Sequence, residues 1–250
     1  MKIPKSHPRF ASLMTRELIA DAVKKGIASE HGLIAHGRGE AFDYLLGEKT
    51  TENAKKSIKV AAALMLLAKY PVISINGNAA ALAPKELVAL SKIVPAKLEV
   101  NIFHKSRHRE LKIKEHLIKN GAKEVLMPQK NFQIKFLESN RKYANKDGIY
   151  KADVVFVPLE DGDRTEALIK NGKKVITIDL NPLSRTAKNA TITIVDNIMR
   201  AMPLLISSIK RFKSLKTSEK ELNFICSNYD NKKILKDSLN EMDTNLKSTL

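Results

Sequence analysis

The apolar residues of the chain fall into short, nearly unbroken runs that alternate with longer segments of helical periodicity. Runs rich in β-branched residues occupy 72–75, 97–103, 154–159, 175–180 and 192–195. Strands with little alternation between apolar and polar residues are typical of parallel sheets that are buried on both faces. Because helical segments separate these runs, the pattern predicts βαβ units and an α/β fold with a mostly parallel sheet flanked by helices.

The same pattern predicts the helices and the domain organisation. Helices are expected at 13–25, 40–46, 51–70, 84–93 and 107–119, and one further short strand at 124–127. The polar stretch 130–151 reads as a loop or insertion over the sheet edge, and a charged, amphipathic helical pattern follows residue 212. We expect one domain over residues 1–250, with a core of about 1–213 and an α-helical C-terminal extension of about 214–250.

Polar residues follow three of the predicted strands, at 160–165, 179–186 and 196–197. Ligands of open α/β sheets bind beyond the carboxyl ends of the strands, so these loops are the expected site. Their mixture of acids, amides and arginines indicates an enzyme that handles nucleotides.

Composition narrows the choice of partners. The net charge of +17 comes from 34 lysines spread along the chain and 10 arginines, and aromatic residues are few, so a solvated lysine surface is favoured over a nucleic-acid footprint. The N-terminal MKIPKSHPRF lacks the apolar core of a signal peptide, and the apolar run 60–68 is too short to span a bilayer. One cysteine, Cys226, excludes a disulfide within one chain. We expect a cytoplasmic protein without a membrane segment.

The acidic loop after the strand at 154–159 has two interpretations. Asp163 can cap the following helix, with Glu166 completing a capping box. Glu160, Asp161 and Asp163 together carry more negative charge than a cap requires, and such a cluster can hold magnesium through its waters or receive an amine.

The next loop supplies basic and polar groups. Asn181 and Pro182 are suited to the N-cap and first positions of a helix. Arg185 and Thr186 lie one turn further on, where an arginine beside a helix start suits a phosphate.

A glycine-rich segment near the N-terminus, AHGRGEAF, predicts a tightly bent helix entry that cradles an anion with Arg38. His36 is either a general acid or base, or a hydrogen-bonding spacer. His104 and His108 share a helical face, but without the Glu of a zinc-protease motif no protein metal site is expected. No G-x-S-x-G or Cys-His pattern supports covalent catalysis.

Taken together, the motifs resemble one family over nearly the whole chain. They are IPKSHPR (3–9), GLIAHGRGEAFDYLLGE (32–48), PVISINGN (71–78), ADVVFVPLEDGDRTEAL (152–168), DLNPLSRTA (179–187) and ITIVDNIMRAMP (192–203). The sequence is similar to the archaeal phosphopantothenate synthetases, also called 4-phosphopantoate–β-alanine ligases. The segment 130–147 does not match a pattern of that family.

The resemblance implies a homodimeric, Rossmann-like enzyme of coenzyme A biosynthesis. Such an enzyme condenses 4-phosphopantoate with β-alanine, using ATP with Mg²⁺, and releases 4′-phosphopantothenate, AMP and diphosphate through an acyl adenylate. ATP would contact Arg16, Arg38, Asp179, Leu180, Asn181, Arg185, Thr186, Asn197 and Ile198.

The catalytic and substrate-binding candidates follow from the same chemistry. Arg38 and Arg185 are the expected electrostatic stabilisers, with His36 as a further candidate. Substrate binding is expected at Asn76, Gly77 and Asn78 for the pantoate moiety, and at Asp161 and Asp163 for the β-alanine ammonium.

Two other functions remain open on the sequence alone. One is a nucleotide-sensing or RNA-associated protein without catalysis, which would lose affinity steeply with salt. The other is a kinase of a small molecule, which would release ADP, although the chain has no P-loop motif.

Overall fold

Five parallel strands form the central sheet of the computed structural model, which describes residues 3–159 and 161–249. The strands of the described chain are β1 (Pro71–Ile75), β2 (Lys97–Val100), β3 (Gln129–Gln133), β4 (Tyr143–Ala144), β5 (Val154–Pro158), β6 (Lys174–Ile178) and β7 (Ile192–Ile194). The sheet has the order β2-β1-β5-β6-β7, and β3 pairs with β4 in a separate antiparallel ribbon. The predicted mostly parallel, Rossmann-like sheet is confirmed.

The strand order creates one switch point. From β1 the chain turns to one side and forms β2, then crosses over to β5 and continues in the other direction through β6 and β7. Strands β1 and β5 are neighbours, with Ile73 of β1 in register with Phe156 of β5. The loops that leave these two strands therefore run in opposite directions along the sheet. Such a divergence opens a crevice at the carboxyl ends of the two strands.

Helices cover both faces of the sheet. They are α1 (Phe10–Lys24), α2 (Glu30–Leu45), α3 (Glu52–Leu67), α4 (Gly77–Leu82), α5 (Pro84–Ile93), α6 (Arg107–Lys119), α7 (Gly162–Lys170), α8 (Arg185–Asn189), α9 (Ile198–Ser214), α10 (Glu219–Ser227) and α11 (Asn231–Thr249). Successive residues of β5 pack on opposite faces: Phe156 joins the larger core with α3, α5 and α9, whereas Val155 joins a second core with α7. Burial on both sides explains the unbroken apolar runs.

The glycine-rich segment near the N-terminus is helical, so the predicted bent loop is wrong, and the helix predicted at 40–46 is the last part of a longer helix. Gly32, Gly37 and Gly39 all lie inside α2, which runs without interruption from Glu30 to Leu45. Close packing explains the first of these glycines: a Cβ on Gly32 would lie 2.3 Å from Oδ1 of Asn78. One other prediction needs correction, because 124–127 is not a strand and contributes only a single parallel bridge, from Leu126 to Glu99.

The polar stretch that was expected to be a loop or an insertion over the sheet edge has secondary structure of its own. It contains β3, a 3₁₀ turn (Asn140–Lys142), β4 and a π-helical turn (Lys146–Tyr150). Ile134, Leu137 and Ile149 from this stretch are buried against the sheet face that carries Val155. The stretch 130–151 therefore covers part of that face, and we call it the capping stretch.

The helical C-terminal extension is confirmed, and it packs on the body of the same chain. Leu235 and Met242 of α11 are buried with Leu180 and Val195. The α10–α11 junction is fixed by Tyr229, whose hydroxyl is 3.0 Å from Oγ of Ser57. Within the described residues, no helix combines the length and hydropathy needed to cross a membrane.

Candidate active site

A cleft of about 260 Å³ lies at the switch point between β1 and β5. Its walls come from the start of α2, the β1–α4 junction, the loop after β2, the capping stretch and the loop after β5. The lining includes Ser29, His31, Gly32, Ala35, Arg38, Asn76, Gly77, Asn78, Phe103, His104, Arg109, Arg141, Leu159 and Asp161. This is the place where the strand order directs a ligand.

The floor of the cleft is fixed by the side chain of Asn76. Its Oδ1 accepts the N–H of Ala79 (2.9 Å) and caps α4, and its Nδ2 donates to the carbonyl of Leu159 (2.8 Å). Leu159 has a φ of 58°, a left-handed conformation that costs a non-glycine residue of order 1 kcal/mol. The ends of β1 and β5 are thereby held together, and the amide of Asn76 is used for structure. Asn78 is engaged similarly, since its Nδ2 donates to the carbonyl of Gly32 (2.8 Å).

Helix α2 presents different side chains to different neighbours. His31, Ala35 and Arg38 line the cleft. His36 and Glu40 face α1 instead, where Nε2 of His36 is 3.3 Å from Oγ1 of Thr15. Burial lowers the pKa of His36. The structure therefore places the predicted catalytic candidate His36 in a helix contact outside the cleft lining.

Arg141 enters the cleft from the capping stretch. Its side chain is 8% exposed, and its Nη1 lies 3.1 Å from Oδ2 of Asp161. Burial lowers the pKa of Arg141 to about 10, with the charge of Arg164 acting in the same direction and that of Asp161 opposing it. An arginine so placed remains charged at neutral pH.

Cationic and imidazole groups outnumber acids on the described cleft wall. Arg38, Arg109 and Arg141 face it together with two imidazoles, His31 and His104, whose ring centroids are 4.8 Å apart. Asp161 is the acid of the lining. Arginine forks match phosphate and carboxylate oxygens, so the cleft suits a small anionic molecule.

Seven of the nine predicted ATP contacts lie on the segments after β6 and β7, whereas Arg16 and Arg38 lie on α1 and α2. Burial raises the pKa of Asp179, and its carboxylate accepts the backbone N–H of Asn181 (2.9 Å) and the hydroxyl of Ser184. Leu180 and Thr186 are buried. Gly39 of α2 packs at Leu180, and the charge of Arg38 acts on Asp179, so Arg38 lies between this loop and the cleft.

The loop after β7 is tied to α2 by a buried ionic network. Asn197 caps α9 by accepting the N–H of Met199, and its Nδ2 donates to Asp43 (3.0 Å). Arg200 pairs with both Asp43 and Asp196. The network fixes Asn197 and the buried Ile198 relative to α2.

Two predicted helix caps are wrong. Asp161, not Asp163, caps α7 by accepting the N–H of Arg164 (3.2 Å). Ser184, not Asn181, caps α8, because Asn181 turns its Oδ1 to the N–H of Leu183. Side-chain chemistry alone does not distinguish neighbouring candidate caps, and the path of the backbone decides between them.

Two of the predicted ATP-contacting arginines are paired with acids at the surface. Arg185 contacts Asp163 and Glu166 of α7, and Gly162 leaves room for its side chain there. Arg16 forms a forked pair with Glu40 of α2, in which Nε and Nη2 lie 2.7–2.9 Å from the carboxylate oxygens. Burial raises the pKa of Glu40, but the hydrogen bonds that it accepts from Arg16, Arg9 and Ser12 lower it to about 2.

The predicted acidic cluster of Glu160, Asp161 and Asp163 is divided between two arginines. Asp161 pairs with Arg141 and Asp163 pairs with Arg185, while Glu160 lies outside the described residues. His104 lines the cleft, whereas His108 lies near Gly26. Over residues 3–159 and 161–249, no three His, Cys, Asp or Glu residues are grouped as a metal site.

Sequence reasoning missed Arg141 of the capping stretch, Arg109 of α6 and Glu99 of β2. Arg141 and Arg109 line the cleft, and Glu99 and Arg164 are buried behind it. The one available signal was a charged residue inside an apolar run, Glu99 in the strand at 97–103, because buried carboxylates occur where they have partners.

Fold and site together define a class: a doubly wound α/β protein with a cationic, anion-accepting cleft at its switch point. A family model described as phosphopantothenate/pantothenate synthetase matches residues 53–245. The chain belongs to that family.

Curated relatives agree over almost the full length. The chain is 52% identical over 240 residues to a 4-phosphopantoate–β-alanine ligase of Thermococcus kodakarensis, covering 96% of this chain and 91% of the relative. It is 50% identical over 246 residues to the ligase of that name from Methanosarcina mazei, covering 98% and 96%. A third, from Methanospirillum hungatei, is 52% identical over 210 residues, or 84% of each chain.

Proposed function

We propose that this protein is an ATP-dependent ligase that condenses 4-phosphopantoate with β-alanine to 4′-phosphopantothenate, with release of AMP and diphosphate, in coenzyme A biosynthesis. The observation that carries the proposal is the cationic cleft at the switch point of a chain that belongs to the synthetase family. Family membership removes the ground for the nucleotide-sensing, RNA-associated and kinase alternatives.

The phosphorylated acid is assigned to the cleft and ATP to the loops after β6 and β7. 4-Phosphopantoate carries a phosphate and a carboxylate, and three arginines face the cleft. The ATP contacts proposed are Arg16, Arg38, Asp179, Leu180, Asn181, Arg185, Thr186, Asn197 and Ile198. Arg38 lies between the two sites and is placed to act on the atoms that react.

The reaction is proposed to pass through an acyl adenylate. A carboxylate oxygen of 4-phosphopantoate attacks the α-phosphorus of ATP, and the bond from that phosphorus to the oxygen bridging to the β-phosphate breaks, releasing diphosphate. The amine of β-alanine then attacks the acyl carbon, loses a proton, and displaces AMP. Negative charge builds up on phosphate oxygens in the first step and on the acyl oxygen in the second, and fixed cations stabilise both.

Individual roles follow from this route. Arg38 and Arg185 are proposed as electrostatic stabilisers, and Arg185 must exchange its contacts with Asp163 and Glu166 for ATP oxygens. Asn76, Gly77 and Asn78 form the wall along the pantoate moiety. Mg²⁺ is proposed to bind through the phosphates of ATP, since the described residues provide no three-ligand site of their own.

Asp161 is proposed to receive the ammonium of β-alanine. It lines the cleft and lies beside Arg141. Asp161→Asn keeps a capping side chain for α7 but removes the charge. This substitution should raise the KM for β-alanine more than the KM for ATP, and an unchanged β-alanine KM would remove the role.

The whole chain is proposed to act as one ligase domain, working as a cytoplasmic homodimer. ATP is a cytoplasmic metabolite, which is the ground for the location. Exposed apolar side chains on the adjoining helices α1 and α2 support the dimer: Leu18 is 37% exposed, Leu33 36% and Ile34 66%. Sedimentation of the wild type and of Ile34→Glu tests it, with a monomeric variant expected and an unchanged mass contradicting this surface.

Product analysis tests the function. The purified protein is incubated with ATP, Mg²⁺, 4-phosphopantoate and β-alanine, and each component is omitted in turn. The proposal predicts AMP and 4′-phosphopantothenate only in the complete mixture. ADP as the product, or no turnover by a folded protein that binds ATP, would overturn it.

A further inference from the structure

A carboxylate is buried in the sheet directly behind the cleft. Glu99 lies on β2 with 0% exposure, in register with Ser74 of β1. Moving an ionised carboxylate from water into a protein interior costs several kcal/mol unless hydrogen bonds and opposite charges compensate it. The groups that contact Glu99 therefore indicate which part of the structure it stabilises.

Both oxygens of Glu99 accept backbone N–H groups from the capping stretch. Oε1 accepts from Asn145 (2.8 Å) and Oε2 accepts from Ile149 (2.6 Å). Gly148 leaves the space that the carboxylate occupies, since a Cβ there would lie 2.0 Å from Oε2. The positive charges of Arg164 on α7 and of Lys173, after that helix, also face the carboxylate. These contacts fix the residues that follow Arg141.

Asn101, just beyond β2, holds the residues on the other side of the same turn. Its Nδ2 donates to the carbonyls of Arg141 (3.2 Å) and Tyr143 (2.9 Å). Asn140 adds a bond from its Nδ2 to the carbonyl of Ile102 (3.2 Å). The backbone around Arg141 is thus bound to β2 and its extension on both sides.

Arg164 links the same carboxylate to the cleft wall from below. It is fully buried and donates from Nη2 to Oγ of Ser74 (2.8 Å), and its charge acts on both Glu99 and Arg141. The charge of Arg164 opposes that of Arg141, whereas Asp161 pairs with Arg141 and Asn101 binds its backbone carbonyl.

We propose that Glu99 is a positioning residue for the ligase reaction: by anchoring residues 145–149 to the sheet, it fixes the guanidinium of Arg141 where the phosphorylated acid binds. The inference rests on the proposed function. Glu99 touches no substrate and acts through Arg141. Its removal therefore weakens binding of the anionic substrate and leaves the ATP loops after β6 and β7 unchanged.

The test compares Glu99→Gln, Arg141→Ala and the double variant, at a pH above 7 where Glu99 is ionised. A glutamine keeps one acceptor but turns an N–H donor toward a backbone N–H, so one of the two bonds is lost. We expect Glu99→Gln to raise the KM for 4-phosphopantoate about tenfold and the KM for ATP less than about twofold. In the Arg141→Ala background, Glu99→Gln should raise the KM for 4-phosphopantoate further by less than about twofold.

Two further variants separate positioning from general destabilisation. Ile209→Val removes a methyl group from the core at α9, away from the cleft, and should lower the melting temperature without changing the KM for 4-phosphopantoate. Asn101→Ser removes the hydrogen bonds from Asn101 to the carbonyls of Arg141 and Tyr143 and so loosens the same turn. It is used in place of Glu99→Gln if that variant does not fold. It should reproduce the selective rise in KM.

The outcomes are distinct. The positioning role would be overturned if Glu99→Gln raised the KM for 4-phosphopantoate and the KM for ATP equally. It would also be overturned if the effects of Glu99→Gln and Arg141→Ala on the KM for 4-phosphopantoate multiplied in the double variant. In either case, turnover by the wild type would leave the ligase function intact. A wild type that makes no phosphopantothenate would refute the function itself. In that case calorimetric titration of wild type and Glu99→Gln with 4-phosphopantoate still decides whether Glu99 supports anion binding.

Discussion

Arg38 connects the cleft with the loop that is proposed to bind ATP. It lines the cleft on α2, and its charge acts on Asp179 after β6. We predict that Arg38→Ala lowers kcat/KM at least about tenfold, a loss of about 1.4 kcal/mol in transition-state stabilisation. Steady-state kinetics measures it. Arg38→Lys is the control that keeps the positive charge without the forked guanidinium, and its kcat/KM should be intermediate. If kcat/KM of Arg38→Ala stayed within about threefold of the wild type, the role would be refuted.

Glu99 gives the molecule a pH-dependent stability. Burial raises its pKa from 4.5 to about 7, against the backbone N–H groups and the charges of Arg164 and Lys173, which lower it. The folded state therefore holds a proton that the unfolded state has released between these pH values. The stability that this proton contributes is present below about pH 4.5 and is lost as the pH rises through about 7.

Urea unfolding of wild type and Glu99→Gln at pH 5 and above pH 7 measures this contribution. The wild type should lose stability relative to the variant as the pH rises, by up to about 1.4 kcal/mol per pH unit. A difference between the two proteins that is the same at both pH values would show that Glu99 does not titrate in this range.

At the scale of elements, the close approach of α2 to α4 depends on one glycine. A Cβ on Gly32 would meet the side chain of Asn78, whereas a Cβ on Gly37 would meet nothing within 4 Å. Replacing a helix glycine by alanine stabilises an open position by about 0.5–1 kcal/mol. We therefore predict that Gly37→Ala raises the free energy of unfolding, and that Gly32→Ala lowers it and raises the KM for 4-phosphopantoate. Equal effects of the two substitutions would contradict this packing.

The elements that sequence predicts well are those whose burial decides their pattern. The runs at 154–159 and 175–180 are apolar because both faces of β5 and β6 are covered, and they were placed correctly. Helix α2 was missed because its glycines serve contacts with Asn78 and Leu180, which no local pattern reveals. The ribbon β3–β4 was missed because the residues of β3 are mostly polar and exposed, so they show no apolar strand pattern.

At the scale of the molecule, the candidate site depends on strand order. Asn76 and Asp161 were predicted as site residues because they follow strands, and both line the cleft. The crossover that makes β1 and β5 neighbours could not be predicted from either segment of sequence. Arg141 lies far from both in sequence, in a stretch that matched no motif. Its position follows from contacts with Asn101 and Asp161 that exist only in the folded chain.

Transfer of a carboxylate oxygen tests the central claim most directly. 4-Phosphopantoate labelled with ¹⁸O in its carboxyl group is incubated with the wild-type protein, ATP, Mg²⁺ and β-alanine, and the nucleotide product is examined by mass spectrometry. If the carboxylate attacks the α-phosphorus, one labelled oxygen must appear in AMP, and 4′-phosphopantothenate must form in equal amount. Unlabelled AMP would contradict the acyl adenylate, and ADP carrying no label beside labelled inorganic phosphate would show that the acid is activated as an acyl phosphate instead.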